Sequence, residues 1–380
     1  MSSPISGGFL CDCRAVLASG ASEELERIGV MLQSADKILI FGAGQNGRMV
    51  ARILGLRGLR PAGFLDDTPE KSGAMVSGLP VRPVAPADGA RSVVICSIYS
   101  PAVSYRTLNE RITALGYRSI SLFEFLRAFA KEELPFYWLG PTSDLLESAS
   151  EIEWLASRLR DDRSKQELLG HLKFRLRLDF AALPDPAPLG CDFNPGWFEF
   201  GLIDGGAYTG DTITHLTNRF SAGLLFGLGV EPDPANYAGL LRTIAACEEP
   251  LRSKLSGANA ALADKPGTMR FKGGARQASR LAADGADEVV TVTVDQLAEE
   301  RGSPKVICKL DVEGAESAAI DGAQRLIRAG HVALAISVYH RPDDLWRIPQ
   351  QIHAMNPSYS FTLRSHGHDG SDLMIYALPR

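Results

Sequence analysis

The sequence predicts an α/β protein in which two parallel-sheet domains are joined by a helical connector. Apolar strand-like runs alternate with amphipathic helical stretches from Lys37 to Phe125, and the alternation returns from Cys191 to Arg380. Between Lys131 and Pro188 no strand pattern occurs. Strands alternating with helices imply parallel sheets covered by those helices. The chain therefore divides into a helical extension (1–34), a first α/β domain (35–128), a helical connector (129–190) and a second α/β domain (191–380).

Bulk properties narrow the function classes. The 380 residues are 45% hydrophobic and 22% charged, ordinary for a protein with packed cores. A formal net charge of −5 with no long Lys/Arg run argues against a nucleic-acid partner. Arg175 and Arg177 lie on a helical pattern and read as a solvated face. No apolar run approaches the ~18 residues that indicate a membrane span, and Met1 to Leu10 lacks the pattern of a secretory signal. Cys11, Cys13, Cys96, Cys191, Cys247 and Cys308 show no zinc-ligand spacing. They read as free thiols, and the expected location is the cytoplasm.

In the first domain, Lys37–Phe41 is an apolar strand followed by Gly42-Ala-Gly-Gln-Asn-Gly47 and a helix ending near Gly55 or Gly58. Pro61–Asp67 is a second strand ending in two acids, and Ser92–Cys96 and Tyr117–Leu122 are the third and fourth. This is a short domain of Rossmann type. Gly42, Gly44 and Gly47 satisfy G-x-G-x-x-G between a strand and a helix, with Asp66 about 20 residues on, which taken literally predicts a dinucleotide. No Tyr-x-x-x-Lys or comparable hydride-transfer group lies nearby. Phe41 to Gly47, Gly63-Phe-Leu-Asp-Asp67 and Gly78-Leu-Pro-Val81 resemble the N-terminal domain of bacterial sugar acyltransferases. That resemblance implies a nucleotide or nucleotide sugar at Gly42, Gly44, Gly47 and Asp66. A structural or dimerising role, giving a homo-oligomer, and NAD-dependent redox chemistry stay open beside it.

The connector carries helical patterns at Ser148–Arg160 and Ser164–Phe180, each opening near a capping Ser or Asp. The Pro-rich run Ala181 to Pro188 ends them. Regular apolar spacing predicts that they pack on the second domain.

In the second domain, Phe198–Ile203 runs into Asp204-Gly-Gly-Ala-Tyr-Thr-Gly-Asp211, and the next helix carries Ile213, Leu216 and Phe220. Gly223–Val230 is a strand ending at Glu231, and helix Pro234–Ala246 aligns Tyr237, Leu240, Leu241 and Ile244. Further strands fall at Val289–Val294, Lys305–Leu310 and Val332–Tyr339. The chain closes with a hairpin of Tyr359–Arg364 and Leu373–Leu378.

Parallel α/β sheets bind ligands beyond the carboxyl ends of their strands, and the chemistry-bearing residues fall there. An acid at Asp204 suits a cationic amine, and backbone N–H groups opening the next helix suit a carboxylate. Asp204, Gly205, Gly206, Ala207 and Gly210 thus suit an amino-acid moiety such as the methionine part of S-adenosylmethionine, although an unliganded turn would use the same glycines. Glu231 can accept both ribose hydroxyls, beside an Asp233-Pro234 helix start. Asp311 ends an apolar strand, whereas Glu313 and Glu316 open a helix, where negative charge is favourable anyway. His340 follows the last parallel strand, where a near-neutral imidazole could take a proton from an attacking hydroxyl.

Asp204 to Thr212, Glu231-Pro-Asp-Pro234, Lys309-Leu-Asp-Val-Glu-Gly-Ala-Glu316 and Ile320-Asp-Gly-Ala323, in that order and spacing, resemble the FkbM-type methyltransferases. Tyr339-His340, Asp344-Leu-Trp and Asp161-Asp-Arg-Ser164 fit the same family, and the resemblance covers Ser148 to Arg380. It implies a class I S-adenosylmethionine-dependent methyltransferase fold, with a seven-stranded sheet whose terminal hairpin places one strand antiparallel. It also implies O-methylation of a hydroxyl on a sugar, glycan or related small molecule. By the same resemblance Asp204, Gly205, Gly206 and Ala207 line the methionine end, Glu231 holds the ribose, and Asn259 and Ala260 border the adenine. Leu310 departs from the family's usual smaller β-branched residue. His340 is the first candidate base and Asp311 the second. No clear metal-ligand set is visible, so no metal is expected, although an ion held by Asp311 and nearby carboxylates would serve the same chemistry. Two rival functions stand beside this one: an NAD(P)-dependent sugar oxidoreductase using the first domain, and a non-catalytic nucleotide-sugar-binding scaffold.

Overall fold

The computed structural model describes residues 7–18, 23–89, 91–130, 142–193, 195–272, 280–281, 285 and 287–380. The expectations for residues 1–6 and 19–22 of the helical extension and for the 131–141 part of the strand-free stretch lie outside them. Two parallel-dominated sheets form, one in each half of the chain.

The first sheet contains β1 (Lys37–Phe41), β2 (Gly63–Leu65), β3 (Met75–Val76), β4 (Leu79–Arg82), β5 (Ser92–Cys96) and β6 (Arg118–Ser121) in the order β3-β4-β2-β1-β5-β6. All neighbours are parallel except the β3–β4 hairpin. That hairpin was not expected. Each strand is very short, and the turn rests on Ser77 and Gly78, both at positive φ (50° and 76°), which matches the right-handed strand twist.

The second half contains β7 (Phe200–Gly205), β8 (Leu224–Val230), β9 (Leu255–Ala258), β10 (Ala261–Leu262), β11 (Gly267–Lys272), β12 (Arg280–Leu281), β13 (Asp287–Val292), β14 (Val306–Leu310), β15 (Val332–Ser337), β16 (Ser360–Ser365) and β17 (Leu373–Leu378). Seven of them form one sheet in the order β16-β17-β15-β14-β7-β8-β9. Within it only β17 runs antiparallel to its neighbours, as the resemblance implies. The strand expected at Val289–Val294 is β13, and it joins a separate four-stranded sheet, β10-β13-β11-β12.

The central strands β7, β14 and β15 are buried along their whole length. That is the pattern of parallel strands covered on both faces. Local chemistry sets the helix starts. Asp233 accepts hydrogen bonds from Ala235 N (2.9 Å) and Asn236 N (3.2 Å), with Pro234 in the first turn of helix Pro234–Ala246. Such a cap stabilises by about 1 kcal/mol. On this helix Leu240 and Ile244 are buried, but Leu241, expected on the same face, is 43% exposed. It sits one residue round the helix from Leu240, outside the buried stripe.

Connector helices Ala149–Arg158 and Asp162–Arg177 pack on the second domain, burying Ile152, Leu155, Leu168 and Leu172 with Leu363 and Ile375 in one core. They also cover the outer strand β16: Leu363 N donates to Ser164 Oγ (2.9 Å), and Arg364 pairs with Asp161 (2.9 Å). Arg175 is not on a solvated face, as expected from its charge, but 2% exposed, whereas Arg177 is exposed. The helical extension splits: Cys13, Val16 and Leu17 join the second domain's core, and Ile28 and Leu32 join the first.

The halves meet along an aromatic seam of Phe123, Phe174 and Phe180, where the Phe123 and Phe180 rings stack at 5.6 Å. Arg127 on the first domain donates to the carbonyls of Arg175 (2.9 Å) and Leu176 (3.0 Å). Among the described residues no helix is long and apolar enough to cross a membrane. All six cysteines are free thiols.

Candidate active site

The carboxyl ends of β7, β8, β14 and β15 bring most of the expected residues to one edge of the sheet. After β7 the chain turns sharply at Gly206 (φ +71°) and Gly210 (φ +92°). A β-carbon at Gly206 would overlap the Asp311 carbonyl oxygen, so the loop lies directly on the end of β14. Gly205 O accepts from Asp311 N (3.1 Å), which joins the two strand ends. Amides within the glycine loop itself are engaged. Gly206 N and Ala207 N both donate to Val230 O (3.0 and 3.1 Å), and Gly210 N donates to Ala207 O (2.8 Å). Backbone satisfaction in a buried turn takes precedence here over leaving donors open.

Asp204 is fully buried inside β7 rather than standing at the strand's end. The cation beside it is Lys309 on β14, directly opposite in the strand register, with Nζ 3.2 Å from Oδ1. Burial pushes the Asp204 carboxyl up to about 6, against the pull of that ammonium. Lys309 is 4% exposed and also donates to Gly206 O (3.2 Å), so it braces the glycine loop from beneath. Sequence reading missed Lys309, although a charge inside the apolar run Val306–Leu310 was its signal.

Glu231 directly follows β8 and is 5% exposed. Its oxygens accept from Tyr208 N (2.9 Å), Asp233 N (3.0 Å) and Asn236 Nδ2 (3.4 Å). A carboxylate has roughly four acceptor positions, so one stays open and the long Asn236 contact is the readiest to yield. Burial raises the Glu231 pKa over the opposing amide bonds. Asn259, after β9, donates to the carbonyls of Glu231 (2.9 Å) and Pro232 (3.0 Å), and Ala260 beside it is buried.

At the ends of β14 and β15 the structure assembles a cluster that the sequence did not reveal. His340 is 1% exposed, with Nδ1 2.7 Å from Glu316 Oε1. Its Nε2 lies 3.3 Å from Asp311 Oδ1 and 3.6 Å from Glu313 Oε2. Asp311 Oδ1 also accepts from Ser337 Oγ (2.8 Å) and Tyr339 OH (3.3 Å). Burial by itself would lower the His340 pKa, but Glu316, Asp311 and Glu313 outweigh it and raise the value to about 10. Burial would raise Asp311, but the charges of Lys309 and His340 hold it below the usual carboxylate range. The three carboxylates around the ring therefore favour its protonated form over the near-neutral imidazole expected at His340. Asp311, Glu313 and His340 also place one ligand atom each within 4.8 Å of one another, a set able to hold a metal. The set was not legible in the sequence because its members come from the separate segments after β14 and β15.

In the first domain a β-carbon at Gly47 would overlap Gly42 O, so the glycines close a tight strand-to-helix turn. Asp66 accepts from Ala43 N (2.8 Å), Thr68 N (2.9 Å) and Lys71 Nζ (3.0 Å). Burial would raise its pKa, but those donors hold it well below the usual range. Gly44 has open space around it and caps the helix Gln45–Leu56.

Comparison with known proteins bears on the second half. Residues 204–367 match the family model of the methyltransferase FkbM domain. The crystal structure of methyltransferase FkbM from Methylobacillus flagellatus KT superposes with a TM-score of 0.74 at 21% identity, covering 98% of this chain and 99% of that one. This likeness shows a shared fold over both halves. Among curated proteins, the redox-sensing transcriptional repressor Rex of Roseiflexus sp. (strain RS-1) is 31% identical over 88 residues. That stretch is 22% of this chain and 40% of the repressor, so the chain spans less than half the length of this relative. Together with the seven-stranded sheet and the loops at its carboxyl edge, the family match identifies residues 204–367 as a methyltransferase FkbM domain.

Proposed function

We propose that the protein is an S-adenosylmethionine-dependent O-methyltransferase acting on a hydroxyl of a sugar, glycan or related small molecule. The observation that carries this reading is the meeting, at one sheet edge, of the Gly205–Gly210 loop, an incompletely engaged Glu231 and an ionised Asp311. Glu231 accepts a ribose hydroxyl at its open position. Gly205, Gly206, Ala207 and Gly210 shape the methionine end, Asp204 and Lys309 support that loop from below, and Asn259 and Ala260 border the adenine. Bound S-adenosylmethionine supplies a methyl group already activated on a sulfonium.

The protein's own task is then to align the acceptor oxygen, exclude water and receive a proton. With its protonated form favoured by three neighbouring carboxylates, His340 is a poor acceptor for that proton. Asp311, ionised and 28% exposed, exchanges roles with it and becomes the first candidate base. His340 orients Asp311 and offsets its charge. The first domain is read as a packing partner, because Asp66 is engaged within its own loop.

Calorimetric titration with S-adenosylmethionine, followed by assay of S-adenosylhomocysteine release with sugar acceptors, tests the reading. Binding that weakens at least tenfold in Glu231→Ala, with NAD showing none, is the expected result. No S-adenosylmethionine binding to the folded chain overturns the proposal.

A further inference from the structure

We propose that Asp311, Glu313 and His340 form a binding site for one divalent metal ion, with Glu316 as the residue that orients the histidine. The ion's function rests on the methyltransferase reading above; its binding does not. The distances carry the inference. A divalent ion about 2.0–2.2 Å from nitrogen and oxygen ligands keeps neighbouring ligand atoms roughly 3.0–3.5 Å apart. His340 Nε2 stands 3.3 Å from Asp311 Oδ1 and 3.6 Å from Glu313 Oε2.

The surroundings match those of built metal sites. A ligating histidine gives its other ring N–H to a carboxylate, which fixes the tautomer and aims the coordinating lone pair. His340 Nδ1 does this with Glu316 at 2.7 Å, and Glu316 Oε1 is itself held by Val312 N at 2.8 Å. Ser337 and Tyr339 hydroxyls orient Asp311 in the same way. Glu313 occupies the left-handed region (φ 53°), costly for a non-glycine residue, followed by Gly314 at 93°. This coil turns the Glu313 carboxylate back towards His340. The imidazole is 1% exposed, whereas Asp311 and Glu313 are 28% and 23% exposed, so protein closes one side of the site and leaves the other open. That asymmetry belongs to catalytic rather than structural metal sites.

Charge points the same way. A proton on Nε2 offsets one of the three carboxylate charges around the ring, and a divalent ion there offsets two. Two carboxylates with one imidazole suit Mn²⁺ or Zn²⁺. The open positions take oxygen ligands, so the acceptor class is one with two neighbouring oxygens, such as a vicinal diol, able to chelate the ion. A coordinated hydroxyl is more acidic. Its oxygen gains the methyl group while the S–CH3 bond breaks, the sulfonium becomes a thioether, and the hydroxyl proton passes by way of the Asp311 carboxylate to solvent.

The test uses the full chain stripped with a chelator, titrated with Mn²⁺ by calorimetry and by loss of the free-ion electron paramagnetic resonance signal. One Mn²⁺ per chain is expected, with affinity falling at least tenfold in Glu313→Gln and in Glu316→Gln. Circular dichroism of Glu313→Gln checks that the fold is kept. Absence of saturable Mn²⁺ binding, or affinity unchanged in both variants, overturns the site. S-adenosylmethionine titration of the same stripped protein separates the two claims. If the cofactor binds and Mn²⁺ does not, the metal site falls and the methyltransferase reading stands; the reverse result keeps the metal site and removes its proposed role.

Discussion

The guanidinium of Arg175, on the connector helix, donates to the main-chain oxygen of Pro342 at 2.9 Å and reaches Val338 O at 3.4 Å. The segment it holds carries His340, so a connector-helix residue fixes main-chain atoms on both sides of that histidine. Burial lowers the Arg175 pKa to about 10, which leaves it charged at neutral pH.

Arg175→Met keeps much of the volume and removes both donors. Unsatisfied buried carbonyls cost about 1–3 kcal/mol, so the melting temperature should fall by several degrees. Turnover should fall more than cofactor affinity, since the 338–342 segment and not Glu231 is released. Calorimetric melting and a kcat-against-KM comparison check this; an unchanged melting temperature would sink it.

Lys309→Met strands Asp204, which is fully buried with that ammonium 3.2 Å away. Breaking one side of a buried ion pair costs about 3–5 kcal/mol. The double variant with Asp204→Asn should recover much of the loss, because no uncompensated charge remains. Denaturant unfolding of both variants decides it, and strictly additive losses would show that the two side chains are not coupled.

Gly206→Ala meets both a positive φ and the Asp311 carbonyl oxygen. It should weaken S-adenosylmethionine binding at least tenfold. Gly44→Ala should leave methyl transfer unaltered and lower stability by no more than about 1 kcal/mol, because nothing lies within 4 Å of the added carbon and only the helix N-cap preference is lost. Equal sensitivity of the two positions would contradict the view that only the second loop handles a ligand.

His171 gives a pH signature. It is fully buried, its Nε2 lies 2.8 Å from Ser365 Oγ, and that hydroxyl donates to Glu167 at 2.6 Å. Burial lowers its pKa from 6.5 to about 3, so the folded protein keeps the ring neutral. Above pH 6.5 both states are neutral and this group adds no slope. As pH falls from 6.5 towards 3 the unfolded chain takes up a proton that the folded chain does not, and stability declines. His171→Gln should flatten that part of the stability profile. An identical acid slope in the variant would assign the effect to other groups.

The sequence by itself determined what depends on neighbours along the chain. Period and punctuation marked the parallel strands, and Gly206, Gly210, Glu231 and Asp311 were placed after strands because the motif and the strand end lie within a few residues of each other. Gly206 could be singled out because a positive φ is a local property of a turn. Strand register and loop return decided the rest. Lys309 faces Asp204 only because β7 and β14 pair in that register. His340 meets Glu316, 24 positions away, only because the segments after β14 and β15 come together. The same is true of Arg175, whose carbonyl acceptor is 167 positions away. Charge alone assigns such residues to the surface. Only the fold shows that partners from distant segments compensate their burial, and those partners ring the expected neutral base with carboxylates that raise its pKa.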